Sequence, residues 1–430
     1  MNLCLEDCLA ERSVLNDDFL RQLISVGEVD LLVGLPTFNN AKTLGAVVQA
    51  IRSGLLKHFP RERVVIINID GGSRDGTPEL VKAASINDLQ RSTDLYTLRT
   101  LHSISTVTGD GAATGPALHT IMAASELLRA QACAVISPES ITMEESWIDR
   151  LFRPVYRDHF DLVTPTYRRH KFDGLLLRNL LYPNMRALYG MRIREPYPSD
   201  FAFSGRFCNH FLEQHTFDHD ESRSGTEISM VILAIAGHFR ICQAFLGTKA
   251  RAHRNSADLV PAMRQSVAPL FSSLDTNFPI WSSNGRVESI PTFGPESELT
   301  SEPVRINRKQ LHQMFCSGVA ELQPVLKSIL SPQTLLEIQN IAKVAEDDFQ
   351  YSHELWVRTV YEFAASYHKA VISRDHIIQA MAPLYRGKMF TFLVGNRDAS
   401  GEEVEANVEE LCRTFESLKP SLLERWDEGK

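Results

Sequence analysis

Through the first part of the chain, apolar residues fall into short unbroken runs separated by amphipathic stretches. Leu31 to Leu35, Val64 to Ile69 and Cys133 to Ile136 are such runs, and Leu98 to Leu101 marks another. Their length and lack of alternation predict strands buried on both faces. Between them, Leu44, Val47, Val48, Ile51 and Leu55 recur at helical spacing, with Asn40 placed to cap the helix. Thr77 followed by Pro78 predicts another helix start, and Pro116 opens a third. Ahead of the first strand, Leu20, Leu23 and Ile24 share one face of a helical lead-in. Strands alternating with helices at this spacing predict a mostly parallel sheet covered on both sides.

The pattern then changes. Ser282 to Pro303 is rich in Ser, Pro, Gly and Glu without periodicity, which predicts a linker or long loop. From Asn307 onward the sequence reads as helical. One late helix carries Val404, Val408, Leu411, Phe415 and Leu418 on one face, and its Glu402, Glu403, Glu405, Glu409 and Glu410 read as a solvated face. The organisation expected is a lead-in over 1–28, an α/β domain over 29–272, a linker over 273–306 and a helical domain over 307–430. Wide apolar stripes on the helical part call for packing against the first domain or a second subunit, as in a homodimer.

Composition narrows the class. A chain of 430 residues, 43% apolar and 23% charged, fits two globular units. A net charge of −8 argues against a nucleic-acid partner and leaves room for a phosphorylated ligand held by local cations and backbone donors. The seven cysteines form neither a zinc pattern nor a disulfide framework, and Cys133, Cys208 and Cys242 lie in apolar runs as buried thiols. With no signal-peptide core and no apolar run near the length of about 20 residues that spans a membrane, a cytoplasmic protein without a membrane span is expected.

The first segment with chemical content is Asp70-Gly71-Gly72-Ser73-Arg74-Asp75-Gly76-Thr77, directly after a buried strand. In an open parallel sheet, ligands bind beyond the carboxyl ends of strands. There Asp70 can accept hydrogen bonds from a base or ribose, or the segment is an ordinary turn before a capped helix. Leu35-Pro36-Thr37-Phe38-Asn39-Asn40 places a second polar segment at a neighbouring strand end.

Together these segments resemble the nucleotide-binding half of the GT-A glycosyltransferases, in which one strand ends in Pro-x-x-Asn and the next in Asp-x-Gly-Ser-x-Asp-Gly-Thr. Further along come Pro165-Thr166-Tyr167-Arg168-Arg169-His170-Lys171-Phe172-Asp173-Gly174, Tyr182-Pro183, Ser199-Asp200-Phe201, Gly225-Thr226-Glu227 and Leu246 to Arg254. Their order is similar to the retaining synthases of glucosyl-3-phosphoglycerate and mannosylglycerate, over about Leu31 to Leu270. The resemblance implies a GT-A, Rossmann-like domain and a helical C-terminal extension. It implies transfer of a hexose, with retention, from a UDP- or GDP-linked sugar to a small hydroxy acid such as glycerate or 3-phosphoglycerate.

Residue by residue, the resemblance implies donor contacts from Pro36, Thr37, Asn39, Asp70, Gly72, Ser73, Thr114, Gly115 and Ser137. It implies acceptor contacts from Tyr167, Arg168, Arg169, Lys171 and Asp173, although the basic residues also read as a solvated loop. A divalent cation, Mn2+ or Mg2+, would be held by Glu139 and His253. His253 reads otherwise as a loop histidine between Arg251 and Arg254. Ser137 stands where the family carries its first metal carboxylate, and Thr114 stands where it carries a lysine. Glu227, at the acceptor, and Asp200, at the donor sugar, are the implied catalytic carboxylates. Each sits among small or polar residues, as an exposed site would, and each has an alternative reading, a helix cap for Asp200 and a first-turn glutamate for Glu227. A nucleotide-sugar sensor that kept the fold while losing catalytic power is the competing expectation. An unrelated nucleotidyltransferase shares only the strand-end logic.

Overall fold

The apolar runs fold as strands. In a computed structural model that describes residues 15–81, 100–109, 111, 114–214, 225–249, 259–295 and 307–427, they are β1 (Leu31–Thr37), β2 (Arg63–Asp70), β3 (Thr100–Val107), β4 (Ala132–Val135), β5 (Leu162–Arg168), β6 (Phe201–Ser204), β7 (Ile241–Thr248) and β8 (Thr292–Phe293). They form one sheet in the order β3-β2-β1-β4-β6-β5-β7-β8. Every pairing is parallel except those of β6 with β4 and β5. The expected mostly parallel α/β architecture with a helical C-terminal part is the one observed.

The chain divides into two compact units. The first comprises Met1–Arg168, Pro198–Arg254 and Pro291–Thr300, and the second Arg169–Tyr197, Asn255–Ile290 and Ser301–Lys430.

The first unit holds the sheet with α1 (Asp17–Val26), α2 (Leu44–His58), α3 (Thr114–Leu127), α4 (Ser146–Tyr156), α6 (Gly205–Gln214) and α7 (Thr226–Ala236). Leu31, Val33 and Leu35 of β1 share a buried cluster with Leu44, Val47, Val48, Ile51 and Leu55 of α2 and Trp147, Ile148, Leu151 and Phe152 of α4. Each such aliphatic side chain contributes about 1.5–3 kcal/mol on burial. On the other face α3 lies so close to β1 that a Cβ on Gly34 would stand 2.7 Å from the Ile121 side chain. Both faces of the central strands are therefore covered, which is why their sequences are continuous apolar runs rather than alternating ones.

Local detail departs from the sequence pattern at several points. Phe19 and Leu23 form the buried face of α1, whereas Ile24 is 65% exposed. Asn40 does not cap α2 with its side chain, which instead accepts from the Phe38 amide at 2.7 Å, and Thr43 stands at the N-cap. Residues 77–81 are helical, but Asp75 caps them by accepting from the Thr77 amide at 3.1 Å. The third strand is described over Thr100–Val107 and so runs past the end of its sequence marker at Leu101, and within the segment read as a linker β8 adds a short strand.

The second unit contains α5 (Tyr182–Tyr189), preceded by a π-helical turn at Leu177–Leu181, then α8 (Leu259–Thr276), α9 (Phe278–Ser283), α10 (Arg308–Glu321), α11 (Gln323–Ile329), α12 (Pro332–Ile341), α13 (His353–Lys369), α14 (Arg374–Gly395) and α15 (Gly401–Asp427). Val404, Val408, Leu411, Cys412 and Phe415 form the buried stripe of α15. Its glutamates are not a merely solvated face. Glu405 receives Arg178 at 2.6 Å and Arg194 at 2.5 Å, and Glu409 receives Arg186 at 2.6 Å. Arg186 Nε also approaches Glu416 to 2.7 Å, off the hydrogen-bond axis, so charge alone holds that contact. Periodicity identifies a common face for Glu405, Glu409 and Glu416, but only the fold supplies the cations laid against it. No described helix is long and apolar enough to cross a membrane.

Candidate functional site

The connectivity gathers polar residues at one edge of the sheet. β1, β2 and β3 are parallel, so their carboxyl ends and following loops lie together. The loop after β2 is tied to the loop after β3: the Gly111 amide donates to the Gly71 carbonyl at 2.8 Å. A Cβ on Gly71 would fall 1.9 Å from the Gly111 carbonyl oxygen, so the approach requires glycine there. Asp70 is buried, and its carboxylate organises its own loop. Oδ2 accepts from the Gly72 and Ser73 amides at 3.0 and 2.8 Å. Oδ1 accepts from Ser73 Oγ at 2.6 Å and Thr37 Oγ1 at 3.1 Å. The Asn39 amide donates to Ser73 Oγ at 2.8 Å, and Asn39 Oδ1 accepts from the Arg74 amide at 3.0 Å. Thr37, Asn39, Asp70, Gly72 and Ser73 thus form one hydrogen-bonded platform, with half-buried Pro36 on the same strand end.

A second cluster depends on the single antiparallel strand. Because β6 runs against β4 and β5, its amino end, preceded by Asp200, lies where their carboxyl ends lie. Asp200 is fully buried and surrounded by donors. Oδ1 accepts from the Ser137 amide at 2.9 Å and Ser140 Oγ at 2.8 Å. Oδ2 accepts from Tyr167 OH at 2.5 Å, Lys249 Nζ at 2.9 Å and Ser199 Oγ at 3.1 Å. Lys249 also contacts Ser199 Oγ and sits 4.4 Å from the Tyr167 ring centre. Burial pushes the Asp200 carboxyl up, but Lys249, Tyr167 and the Ser137 amide outweigh it and hold it below its ordinary value. The expected exposed surroundings of Asp200 are therefore not found. Its lone pairs are committed to the protein, where they join the ends of β4, β5, β6 and β7.

The third cluster joins two helix starts. α3 leads into β4 and α7 leads into β7, so the amino termini of both lie at the carboxyl edge of the strands. There Thr114 Oγ1 donates to Glu227 Oε1 at 2.7 Å. Glu227 is only 5% exposed, again against the expectation of an exposed position. Its Oε2 and the neighbouring Thr226 Oγ1 are buried without a hydrogen-bond partner among the described residues. Burial raises the Glu227 carboxyl above its ordinary value, and the Thr114 hydroxyl offsets part of that rise. A first-turn glutamate on a solvated helix has no such signature. Gly115 is buried in the same first turn of α3.

The other expected site residues are dispersed. Ser137 Oγ accepts from the Glu139 amide at 3.3 Å, and the half-buried Glu139 side chain lies just past β4. His253 lies outside the described residues, so the expected Glu139–His253 pairing does too. Among the described residues no three His, Cys, Asp or Glu side chains cluster as a metal site. Tyr167 belongs to the Asp200 cluster, and Arg168 is exposed at the end of β5. In the second unit, Arg169 is held by Glu195 at 2.9 Å and Asp173 at 3.0 Å. Burial works against its charge, and those two carboxylates outweigh it, raising its pKa. Lys171 donates to the Arg397 and Ala399 carbonyls at 2.7 and 2.8 Å. Two residues with central places, Lys249 and Ser140, had no assigned role from sequence. A lone lysine ending the apolar run of β7 was the available signal.

No protein-family model matches the chain, and no curated protein matches it. Among solved structures it is similar to glucosyl-3-phosphoglycerate synthase from Mycobacterium tuberculosis. The structure of that enzyme with Mn2+, uridine diphosphate and glucosyl-3-phosphoglycerate shows 22% identity over 57% of this chain and 79% of that chain, with a TM-score of 0.43. The structure with Mg2+ and uridine diphosphate shows 21% identity over 58% of this chain and 82% of that chain, also with a TM-score of 0.43. A likeness of this size fixes neither substrate nor mechanism.

Proposed function

We propose that this chain is a glycosyltransferase that moves a hexose from a nucleotide-diphosphate sugar to a hydroxyl of a small hydroxy acid, glycerate or 3-phosphoglycerate, with retention at the anomeric carbon. The observation that carries the reading is Glu227: a buried carboxylate with one oxygen held by Thr114 and the other without a partner among the described residues. It lies at the sheet edge that also presents the Asp70–Ser73 platform.

In this reading the platform holds the nucleotide through Pro36, Thr37, Asn39, Gly72 and Ser73, and Asp70 keeps the loop in shape. Oε2 of Glu227 accepts the acceptor hydroxyl, orients it and helps to remove its proton, a contribution of roughly 10²–10⁴-fold in rate. Asp200 is a positioning residue that fixes the strand ends around the donor sugar. Lys249 is its counter-ion. A divalent cation, Mn2+ or Mg2+, would neutralise charge developing on the leaving diphosphate, and Glu139 is the described residue that would hold it. With that one carboxylate, the diphosphate and water would supply much of the remaining coordination.

Ser137 and Thr114, which stand where the resemblance would place a metal carboxylate and a lysine, favour one alternative, a nucleotide-sugar sensor that kept the fold. Thermal-shift screening with UDP-glucose and GDP-mannose, with and without Mn2+, tests donor binding through the mass-action shift in melting temperature. A transfer assay with glycerate and 3-phosphoglycerate follows. Binding with transfer supports the enzyme, binding without transfer supports the sensor, and no binding sinks both.

A further inference from the structure

We propose that Thr114 is a positioning residue for Glu227: its hydroxyl fixes Oε1 so that Oε2 alone is presented to a hydroxyl of the acceptor. This rests on the transferase reading and refines it, because it moves Thr114 from the donor side to the acceptor side of the site.

The geometry has three parts. Thr114 is the first residue of α3 and is itself exposed, so its side chain is not needed to fill the core. Its hydroxyl donates at 2.7 Å to a glutamate in the first turn of a different helix, which pins the carboxylate across a junction that neither helix controls alone. The remaining oxygen, with Thr226 Oγ1 beside it in sequence, is buried and has no partner among the described residues. A buried carboxylate oxygen left without a donor is costly to maintain. What completes it is a hydrogen-bond donor such as a hydroxyl. A phosphate or carboxylate would bring a second negative charge against Glu227. Glu227 therefore meets the hydroxyl end of the acceptor rather than its acid end.

The test compares Thr114→Val, which keeps the shape and removes the donor, with Thr114→Ser, which keeps the donor, in the full chain. Turnover is measured against pH with UDP-glucose or GDP-mannose and glycerate. In parallel the Glu227 side-chain carboxyl is titrated by carbon-13 NMR, its signal identified by its loss in Glu227→Gln. The expected result for Thr114→Val is a fall in kcat of about tenfold, the scale of a lost hydrogen bond to a charged group, with the donor KM unchanged. The acid limb of the pH profile and the Glu227 titration both move to higher pH, and Thr114→Ser restores both. Unchanged kcat and an unchanged Glu227 titration in Thr114→Val overturn the proposal. If the unmutated protein transfers no sugar, the transferase reading fails, and the titration decides the role of Thr114 by itself: an upward shift supports it, and no shift overturns it.

Discussion

Asp200 accepts five hydrogen bonds from its surroundings, whereas Glu227 accepts one from a side chain and leaves an oxygen without a partner among the described residues. Both are buried carboxylates at the carboxyl edge of the same sheet. The buried cation Lys249 stabilises the charge of Asp200, and burial destabilises that of Glu227. A carboxylate whose lone pairs are all taken holds strands together, and exchanging it disturbs the fold. A carboxylate with an open oxygen and a raised pKa is available to a ligand, at some cost to stability. Perturbed groups of the second kind are the ones that concentrate at functional sites.

The strongest way to break this contrast is Asp200→Ala. It leaves Lys249 buried without its counter-ion, and removing one partner of such a pair costs about 3–5 kcal/mol. Urea unfolding should show a loss of that size, with little dependence on ligand. A variant of unchanged stability would mean that the cluster is not a strut.

Glu227→Gln should do the reverse. Transfer falls roughly 10²–10⁴-fold while the fold is kept. The sign of its stability effect follows from linkage. The folded pKa is raised, so the contribution of this group is full below its unfolded value near 4.3 and is lost as pH rises through the folded value. The glutamine variant should therefore melt at or above the parent temperature at neutral pH and gain nothing near pH 4. For Asp200 the sign is opposite: its folded pKa is lowered, so its contribution is present above about pH 3.9 and lost as pH falls through the folded value. Melting curves of the parent and Glu227→Gln across pH 4 to 8 check the first statement, and curves of the parent and Asp200→Asn from about pH 6 down to about pH 2 check the second.

Arg186 offers an intermediate case in the second unit. Its side chain is 3% exposed, but its partners Glu409 and Glu416 are 32% and 27% exposed, so solvent screens part of the attraction. Arg186→Ala should lower stability by about 1–3 kcal/mol, between the surface and buried limits. A denaturation midpoint equal to that of the parent would return these glutamates to the solvated face expected from sequence.

The smallest effect belongs to the loop platform. Ser73→Ala removes one donor to Asp70 and one acceptor for the Asn39 amide, each worth about 1 kcal/mol. Calorimetric titration with uridine diphosphate should show weaker binding if the platform holds the nucleotide, and unaltered affinity would place the nucleotide elsewhere.

The strands, the helices between them and the helical C-terminal part were legible in the sequence because burial on two faces, or on one stripe, leaves a periodic record in the residues themselves. Leu31–Leu35, Val64–Ile69 and the stripe from Val404 to Phe415 carry that record. So do the glycines after Asp70, Gly71 because only glycine tolerates the approach of Gly111 and Gly72 because its φ is +94°. What the sequence could not determine was who pairs with whom. The five donors around Asp200 come from residues between Ser137 and Lys249, and Thr114 meets Glu227 across a separation of 113 residues. Hydrogen bonding and desolvation depend on distances of a few ångströms, and those distances are set only when the strands take their order in the sheet. Residue type and period could mark both carboxylates as candidates, but only the tertiary structure could surround one with donors and leave the other half open.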